Sequence, residues 1–254
     1  MPTAPLTDPS QEAFLAHLHY LKLPHVRSNF PALLKQATRE NWSHFQLLER
    51  LIEGEVLQRQ ERSIRRLVQC ARFPVIKTSD QFQWSWPAKI NRLQVQELFR
   101  LTFLKDKANA IFLGGVGLGK THLAITIGHE ACLKGHSVLF TTAIDAINSL
   151  SAAQGGGRFR QELNRYLKPN LLILDELGYL PIDKTGADIL FQIFSQRYER
   201  GSLILTSNRA YKNWPEIFNH DATLTSAILD RLLHHAETVV IEGNSFRMKE
   251  RLDS

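Results

Sequence analysis

Residues 109–126 read NAIFLGGVGLGKTHLAIT. Ala110-Ile111-Phe112-Leu113 is a short apolar run, the pattern of a strand buried in a parallel sheet. A loop carrying Gly115, Gly117 and Gly119 follows, and Leu123, Ile125 and Ile127 then open an apolar-periodic segment that predicts a helix. From Gly114 to Thr121 the residues fit G-x-x-x-x-G-K-[ST] without mismatch. Glycines at that spacing let successive backbone N–H groups turn inward around phosphate oxygens, at a helix N-terminus whose dipole favours anions. Lys120 then brings a point charge to the β- and γ-phosphates, and the Thr121 hydroxyl is placed to hold Mg²⁺. A glycine-rich turn that binds nothing would share the composition, but a strand before and a helix after favour the phosphate loop. The candidates for binding a nucleoside triphosphate are Gly114, Gly115, Val116, Gly117, Leu118, Gly119, Lys120 and Thr121, with His122 beside them.

Outward from this loop, apolar runs alternate with helical patterns. Ser137–Phe140, Leu171–Leu174, Ser202–Thr206 and Thr238–Ile241 read as further core strands. Between them, residues 143–153, 158–167, 189–198 and 224–235 read as helices, with Gly155-Gly156-Gly157 breaking the first pair. Strand–helix alternation predicts a three-layer α/β domain with a parallel sheet over residues 73–254. In such a sheet ligands sit at the carboxyl ends of the strands. Asp175, ending the third strand, is therefore the second metal candidate beside Thr121, and Glu176 is placed to orient and deprotonate an attacking water. Asn208, ending the fourth, is placed to hydrogen-bond the same water or the γ-phosphate, although an ordinary turn would also use it. Two readings of Arg231 stand: a structural arginine paired with Asp230 or Glu237, or one that reaches a neighbouring subunit's phosphate.

The first 72 residues differ in pattern. Residues 1–11 carry three prolines and read as a loose end. Phe14, Leu15, Leu18 and Leu21 have helical spacing, as do Phe30, Leu33 and Leu34 after Pro24. Ser43-His44-Phe45-Gln46 is a capping box opening a long helix to about Arg72, where Phe73-Pro74 stops it. A small all-helical domain over 1–72 is expected. Arg59, Arg62 and Arg66 share one face of its long helix, either a stripe for DNA or a partner, or a solvated face complementing the helix C-terminus. Residues 77–86, KTSDQFQWSW, form an irregular connector with three aromatics, and Val95 to Leu104 suggest one more helix before the phosphate loop.

The chain has 254 residues, 43% of them hydrophobic, enough for a substantial core. A net charge of +6 favours acidic partners, nucleic acid before membrane. Cys70 and Cys132 form no C-x-x-C pair, which argues against a zinc or disulfide framework. His234 and His235 are adjacent, so on a helix they diverge and make a poor metal pair. No apolar run approaches the roughly 18 residues of a membrane span, and the N-terminus lacks a signal pattern, so a soluble cytoplasmic protein is expected.

In that order, GGVGLGKTHLA, LLILDELGYLP, LILTSNR and ILDRLLHH resemble the IstB family of insertion-sequence ATP-binding helpers, AAA+ proteins related to the DnaC helicase loaders. The RRLVQCARFP ending of the helical start resembles that family too, so the likeness covers nearly the whole chain. It implies an ATP- and Mg²⁺-dependent ATPase that assembles into a ring or helical oligomer on double-stranded DNA and hands a target site to its cognate transposase. By the same resemblance Lys120 and Thr121 are Walker A, Asp175 and Glu176 Walker B, Asn208 sensor 1 and Arg231 a trans-acting arginine finger. Phe82 matches the segment flanking the adenine. Arg158, Arg160, Arg165 and Lys168 fall where the initiator and loader clade faces DNA. Unlike in most AAA+ proteins, no separate C-terminal lid is expected after Phe246, which leaves Arg247 as a stand-in for sensor 2. A helicase loader would carry the same core, and a small-molecule kinase the same phosphate loop; the Asp-Glu pair and the basic charge speak against the kinase.

Overall fold

The computed structural model describes residues 9–246 apart from residue 87. Its chain divides into two compact units, Met1–Arg65 and Arg66–Ser254.

The first unit is helical, with α1 (Pro9–Tyr20), α2 (Pro24–Glu40) and most of α3 (His44–Ala71). Leu18, Val26 and Leu51 are its buried centre, with Leu15, Phe30, Leu33 and Leu47 packed around them. Helix α2 has proline in its first turn and no side-chain cap of its own. The buried carboxylate of Glu55, on α3, accepts from the backbone N–H groups of His25 and Val26 at 2.8 and 3.3 Å and supplies the missing cap. The capping box opening α3 is formed: Ser43 Oγ accepts from Gln46 N at 3.2 Å, and Gln46 Oε1 accepts from Ser43 N at 2.8 Å. Of the expected loose end, residues 9–11 belong to α1 and residues 1–8 lie outside the described residues. The division between units falls inside α3, because Leu67, Val68 and Ala71 at its end pack with the second unit's core.

The second unit carries α4 (Arg92–Phe99), α5 (Thr102–Lys105), β1 (Asn109–Gly114), α6 (Lys120–Leu133), β2 (Val138–Thr142), α7 (Ala143–Gly155), α8 (Phe159–Leu167), β3 (Leu171–Leu177), α9 (Lys184–Arg197), β4 (Ser202–Ser207), α10 (Trp214–Ile217), α11 (Ala222–Leu233) and β5 (Ala236–Ile241). The five strands lie in the order β2-β3-β4-β1-β5 and every pairing is parallel. Side chains alternate across this sheet and build two cores. Ala110, Phe112, Leu171 and Ile173 face α4 and α6, meeting Val95, Leu98, Leu123 and Ile127. Ile111, Leu113, Leu172 and Leu174 face the other helices, meeting Ala146, Leu150, Leu190, Phe194 and Ile228. Helices therefore cover both faces, the three-layer α/β arrangement of P-loop NTPases.

Four elements differ from the sequence reading. The helix expected over 95–104 is broken at Leu101, whose φ of 62° is left-handed. Helix α9 begins at Lys184, ahead of Ile189, because Asp183 caps it by accepting from Gly186 N at 2.8 Å. The four-residue α10, too short for a periodic signal, brings Trp214 into the core with no exposed surface. Helix α11 stops at Leu233, short of the two histidines.

Candidate nucleotide site

The order β4-β1-β5 puts the loop after β1 between the carboxyl ends of β4 and β5, with β3 next to β4. Helix α6 starts at Lys120 directly after the loop. Gly117 and Gly119 hold φ of +75° and +86°, the left-handed region where a Cβ is strained. Both are crowded as well. A Cβ on Gly117 would lie 2.2 Å from Ser245 Oγ, and one on Gly119 2.6 Å from Phe82 Cε2. Lys120 Nζ donates to the carbonyl oxygens of Gly114 and Gly115 at 2.7 and 2.6 Å, which keeps the ammonium inside the curl of the loop.

Asp175 is the hub. It is 3% exposed on β3, and its carboxylate accepts the Thr121 hydroxyl at 3.0 and 3.1 Å and the Thr206 hydroxyl at 2.5 Å. Consecutive residues of a regular strand point to opposite faces. Here the β3–β4 register shifts between Leu174 and Leu177, and Glu176 takes a left-handed φ of 61°. This local bulge leaves Glu176 exposed between buried Asp175 and Leu177. Backbone of this kind is costly for a non-glycine residue and is kept where its surroundings fix it; Thr206 Oγ1 accepts the Glu176 N–H at 3.0 Å. Asn208, just past β4, has a buried Oδ1 with no hydrogen-bond partner among the described residues.

The aromatics form a wall beside the loop. Phe82 is buried, 4.8 Å ring to ring from Trp84 and 5.4 Å from His122. Burial holds the His122 imidazole below its ordinary pKa, opposed by the Thr78 carbonyl 3.3 Å from Nε2. Beyond β5, Phe246 N donates to Gly117 O at 3.0 Å, and Trp86 Nε1 donates to Asn244 O at 3.0 Å, so the chain after the sheet closes over the loop. Sequence reasoning did not single out Thr206, Trp84 or residues 244–246 for the site. Thr206 precedes a candidate residue on a core strand, the one signal that pointed to it.

The fold thus gathers the glycine loop with Lys120, Thr121 and His122, the pair Asp175 and Glu176, Asn208 and Phe82. The Thr121 hydroxyl and Asp175 carboxylate are hard oxygen donors, the set that suits Mg²⁺, and the glycine loop beside them fits a triphosphate. Arg231 stands apart on α11: its guanidinium lies 5.1 Å from the Phe191 ring centroid and donates to Ala227 O at 2.9 Å. It makes no ion pair with Asp230 or Glu237 among the described residues, so the partners expected for a structural arginine are replaced by that ring and that carbonyl; Glu237 accepts from Gln94 instead. Arg158, Arg160 and Lys168 are exposed around α8, whereas Arg165 is ion-paired with Glu162 at 2.8 Å and lies over Tyr166. Arg247 lies outside the described residues. Among the described residues no helix is long and apolar enough to cross a membrane.

Comparison with known proteins agrees with this geometry. The family model described as IstB-like ATP binding protein matches residues 16–254. The ATP-binding protein of insertion sequence IS5376 from Geobacillus stearothermophilus is 39% identical over 95% of this chain and 96% of its own. Among solved structures, AMPPCP-bound DnaA from Aquifex aeolicus is 28% identical with a TM-score of 0.54, over 70% of this chain and 55% of that one, about half its length. The DnaC helicase loader, 21% identical with a TM-score of 0.50 over 59% of this chain and 87% of that one, shares the fold. A phosphate loop in the AAA+ setting and a family match over almost the whole length lead to one conclusion: the chain belongs to the IstB-like family of insertion-sequence ATP-binding proteins.

Proposed function

We propose that the protein is an ATPase that assembles on double-stranded DNA and recruits or activates a transposase for insertion-sequence transposition. The observation that carries the hydrolytic part is the bulge at Glu176, which sets a carboxylate facing solvent beside the Asp175–Thr121 pair. Lys120 neutralises the β- and γ-phosphates, and the N–H groups at the start of α6 receive them. Thr121 and Asp175 would hold Mg²⁺, which would supply charge neutralisation on the phosphates. Glu176 takes the proton of the attacking water, and Asn208 Oδ1 accepts a hydrogen bond from that water. Phe82 and its aromatic neighbours pack against the base. Arg231, held by a ring and a carbonyl rather than by a carboxylate, keeps its charge available to a neighbouring subunit's phosphate.

The DNA and transposase parts rest on the names of the relatives, which are insertion-sequence proteins, and on the net charge of +6. Those names favour the transposition reading over the helicase loader. The two-domain organisation, helical residues 1–72 before the ATPase domain 73–254, belongs to the same reading. The test is phosphate release by the full chain with ATP and Mg²⁺, with and without duplex DNA, beside Lys120→Ala in a fluorescent-ATP titration. Release stimulated by DNA, and nucleotide binding lost in the variant, are expected. Nucleotide bound with wild-type affinity by Lys120→Ala would remove the loop from the mechanism, and absence of phosphate release would remove the ATPase.

A further inference from the structure

Away from the nucleotide site, the end of α9 meets the turn between α11 and β5. His234 and His235 follow Leu233, the last residue of α11, and His234 is the C-cap. On a continuing helix their side chains would diverge by about 100°. Just past the end of the helix, the two rings instead lie 4.1 Å apart, tilted by 49°. Opposite them Glu199, two residues beyond the end of α9, takes a left-handed φ of 55° and brings Oε1 to 3.9 Å from His235 Nε2. One ring nitrogen of each histidine and one carboxylate oxygen of Glu199 all lie within 4.8 Å of one another. Among the described residues no other group of three His, Cys, Asp or Glu side chains comes together in this way.

We propose that Glu199, His234 and His235 form a binding site for a transition-metal ion of the Zn²⁺ class. Two imidazoles and one carboxylate are a donor set that takes Zn²⁺, Ni²⁺ or Cu²⁺ and discriminates against Mg²⁺, which prefers an all-oxygen shell. Ligand atoms bound at about 2.0–2.2 Å from Zn²⁺ stand roughly 3.3 Å apart in a tetrahedron. The three side chains are exposed, which leaves room for rotation about their side-chain bonds to bring the donor atoms closer. His234 also has the outer partner that metal-bound histidines use: its Nδ1 lies 2.7 Å from the Tyr198 hydroxyl, which orients the ring. Water completes the coordination. The ion would join the end of α9 to the end of α11, the helix that carries Arg231 one turn earlier, and so stiffen the base of that arginine. The site shares no residue with the phosphate loop, so it stands whether or not the protein hydrolyses ATP.

The experiment is calorimetric titration of the full, metal-stripped chain with ZnCl₂, beside MgCl₂, followed by Co²⁺ absorption spectroscopy. One Zn²⁺ per chain, no Mg²⁺ isotherm at this site, and Co²⁺ d–d bands of a nitrogen- and oxygen-ligated centre are expected. The double variant His234→Asn, His235→Gln should lose that isotherm and those bands. Tyr198→Phe, which removes only the outer partner, should weaken binding by about 10–100-fold. Lys120→Ala should leave Zn²⁺ binding unchanged. Should the double variant melt early, Glu199→Gln serves in its place, with a weakened isotherm expected. No saturable Zn²⁺ binding, or an isotherm that survives both sets of substitutions because other histidines take the ion, overturns the proposal.

Discussion

The Thr206 hydroxyl donates to Asp175 Oδ1 at 2.5 Å and accepts the backbone N–H of Glu176 at 3.0 Å. One side chain on β4 thereby holds the Asp175 carboxylate and the Glu176 backbone at once. The isosteric change Thr206→Val removes the donor to a buried carboxylate and the acceptor for a strained N–H. A loss of about 1–3 kcal/mol of stability is expected, read as a lower urea midpoint at unchanged slope. Hydrolysis should fall more than nucleotide affinity, since the phosphate loop is untouched. An unchanged midpoint would mean that the bulge is held by other contacts.

Gly119→Ala sets a side chain at φ +86° and at 2.6 Å from Phe82. Nucleotide affinity should fall by tenfold or more, which is about 1.4 kcal/mol, in a fluorescent-ATP titration. Adding Phe82→Ala relieves the clash but not the backbone strain, so it should restore only part of the loss. Full recovery would show that sterics, and not the left-handed backbone, decide this position.

His122 is held below its ordinary pKa by burial beside Phe82. Around and below pH 6.5 the unfolded chain then binds more protons at this residue than the folded one. Its contribution to stability is therefore complete above pH 6.5 and is lost as pH falls toward the folded value. Between pH 7.5 and 5.5 the melting temperature of the wild type should drop more than that of His122→Gln. Parallel curves for the two proteins would assign the acid sensitivity to other histidines.

DNA binding should rest on phosphate contacts, with an affinity that falls steeply with salt and discriminates little between unrelated duplexes. Replacing Arg158, Arg160 and Lys168 together should flatten the slope of log affinity against log salt. Arg165→Ala alone should do less, because that guanidinium is already engaged by Glu162. An unchanged slope in the triple variant would move the DNA surface elsewhere, the arginines of α3 being next in line.

Glu176→Gln should keep ATP binding and lose hydrolysis, since the amide cannot take the water's proton at neutral pH. Arg231→Ala should keep monomer ATP binding and lose DNA-stimulated hydrolysis by about 10³-fold or more. Mixing the two variants pairs Glu176 of one subunit with Arg231 of another, so part of the activity should return. Mixed assemblies that stay silent at every ratio would place Arg231 outside a shared site.

The sequence by itself determined the glycine loop, the five apolar strands and the polar residues that end them. These are contiguous signals: a run of branched residues or a fixed glycine spacing carries its meaning whatever the rest of the chain does. Thr121 and Asp175 were readable as partners because a parallel sheet gathers strand ends on one edge. Tertiary structure decided what depends on residues distant in the chain. Two adjacent acids, Asp175 and Glu176, are one buried and one exposed at a register shift against β4, where the Thr206 hydroxyl holds the Glu176 N–H. Phe82 reached Gly119 because the connector folds back over the loop, and residues 244–246 joined it from the far side of β5. His234 and His235, read as diverging on a helix, lie with their rings 4.1 Å apart and tilted by 49° at the turn after α11, with Glu199 beyond the end of α9 opposite them. Local sequence sets which conformations are cheap; packing from distant elements sets which side chains are left facing solvent, and chemistry follows from that exposure.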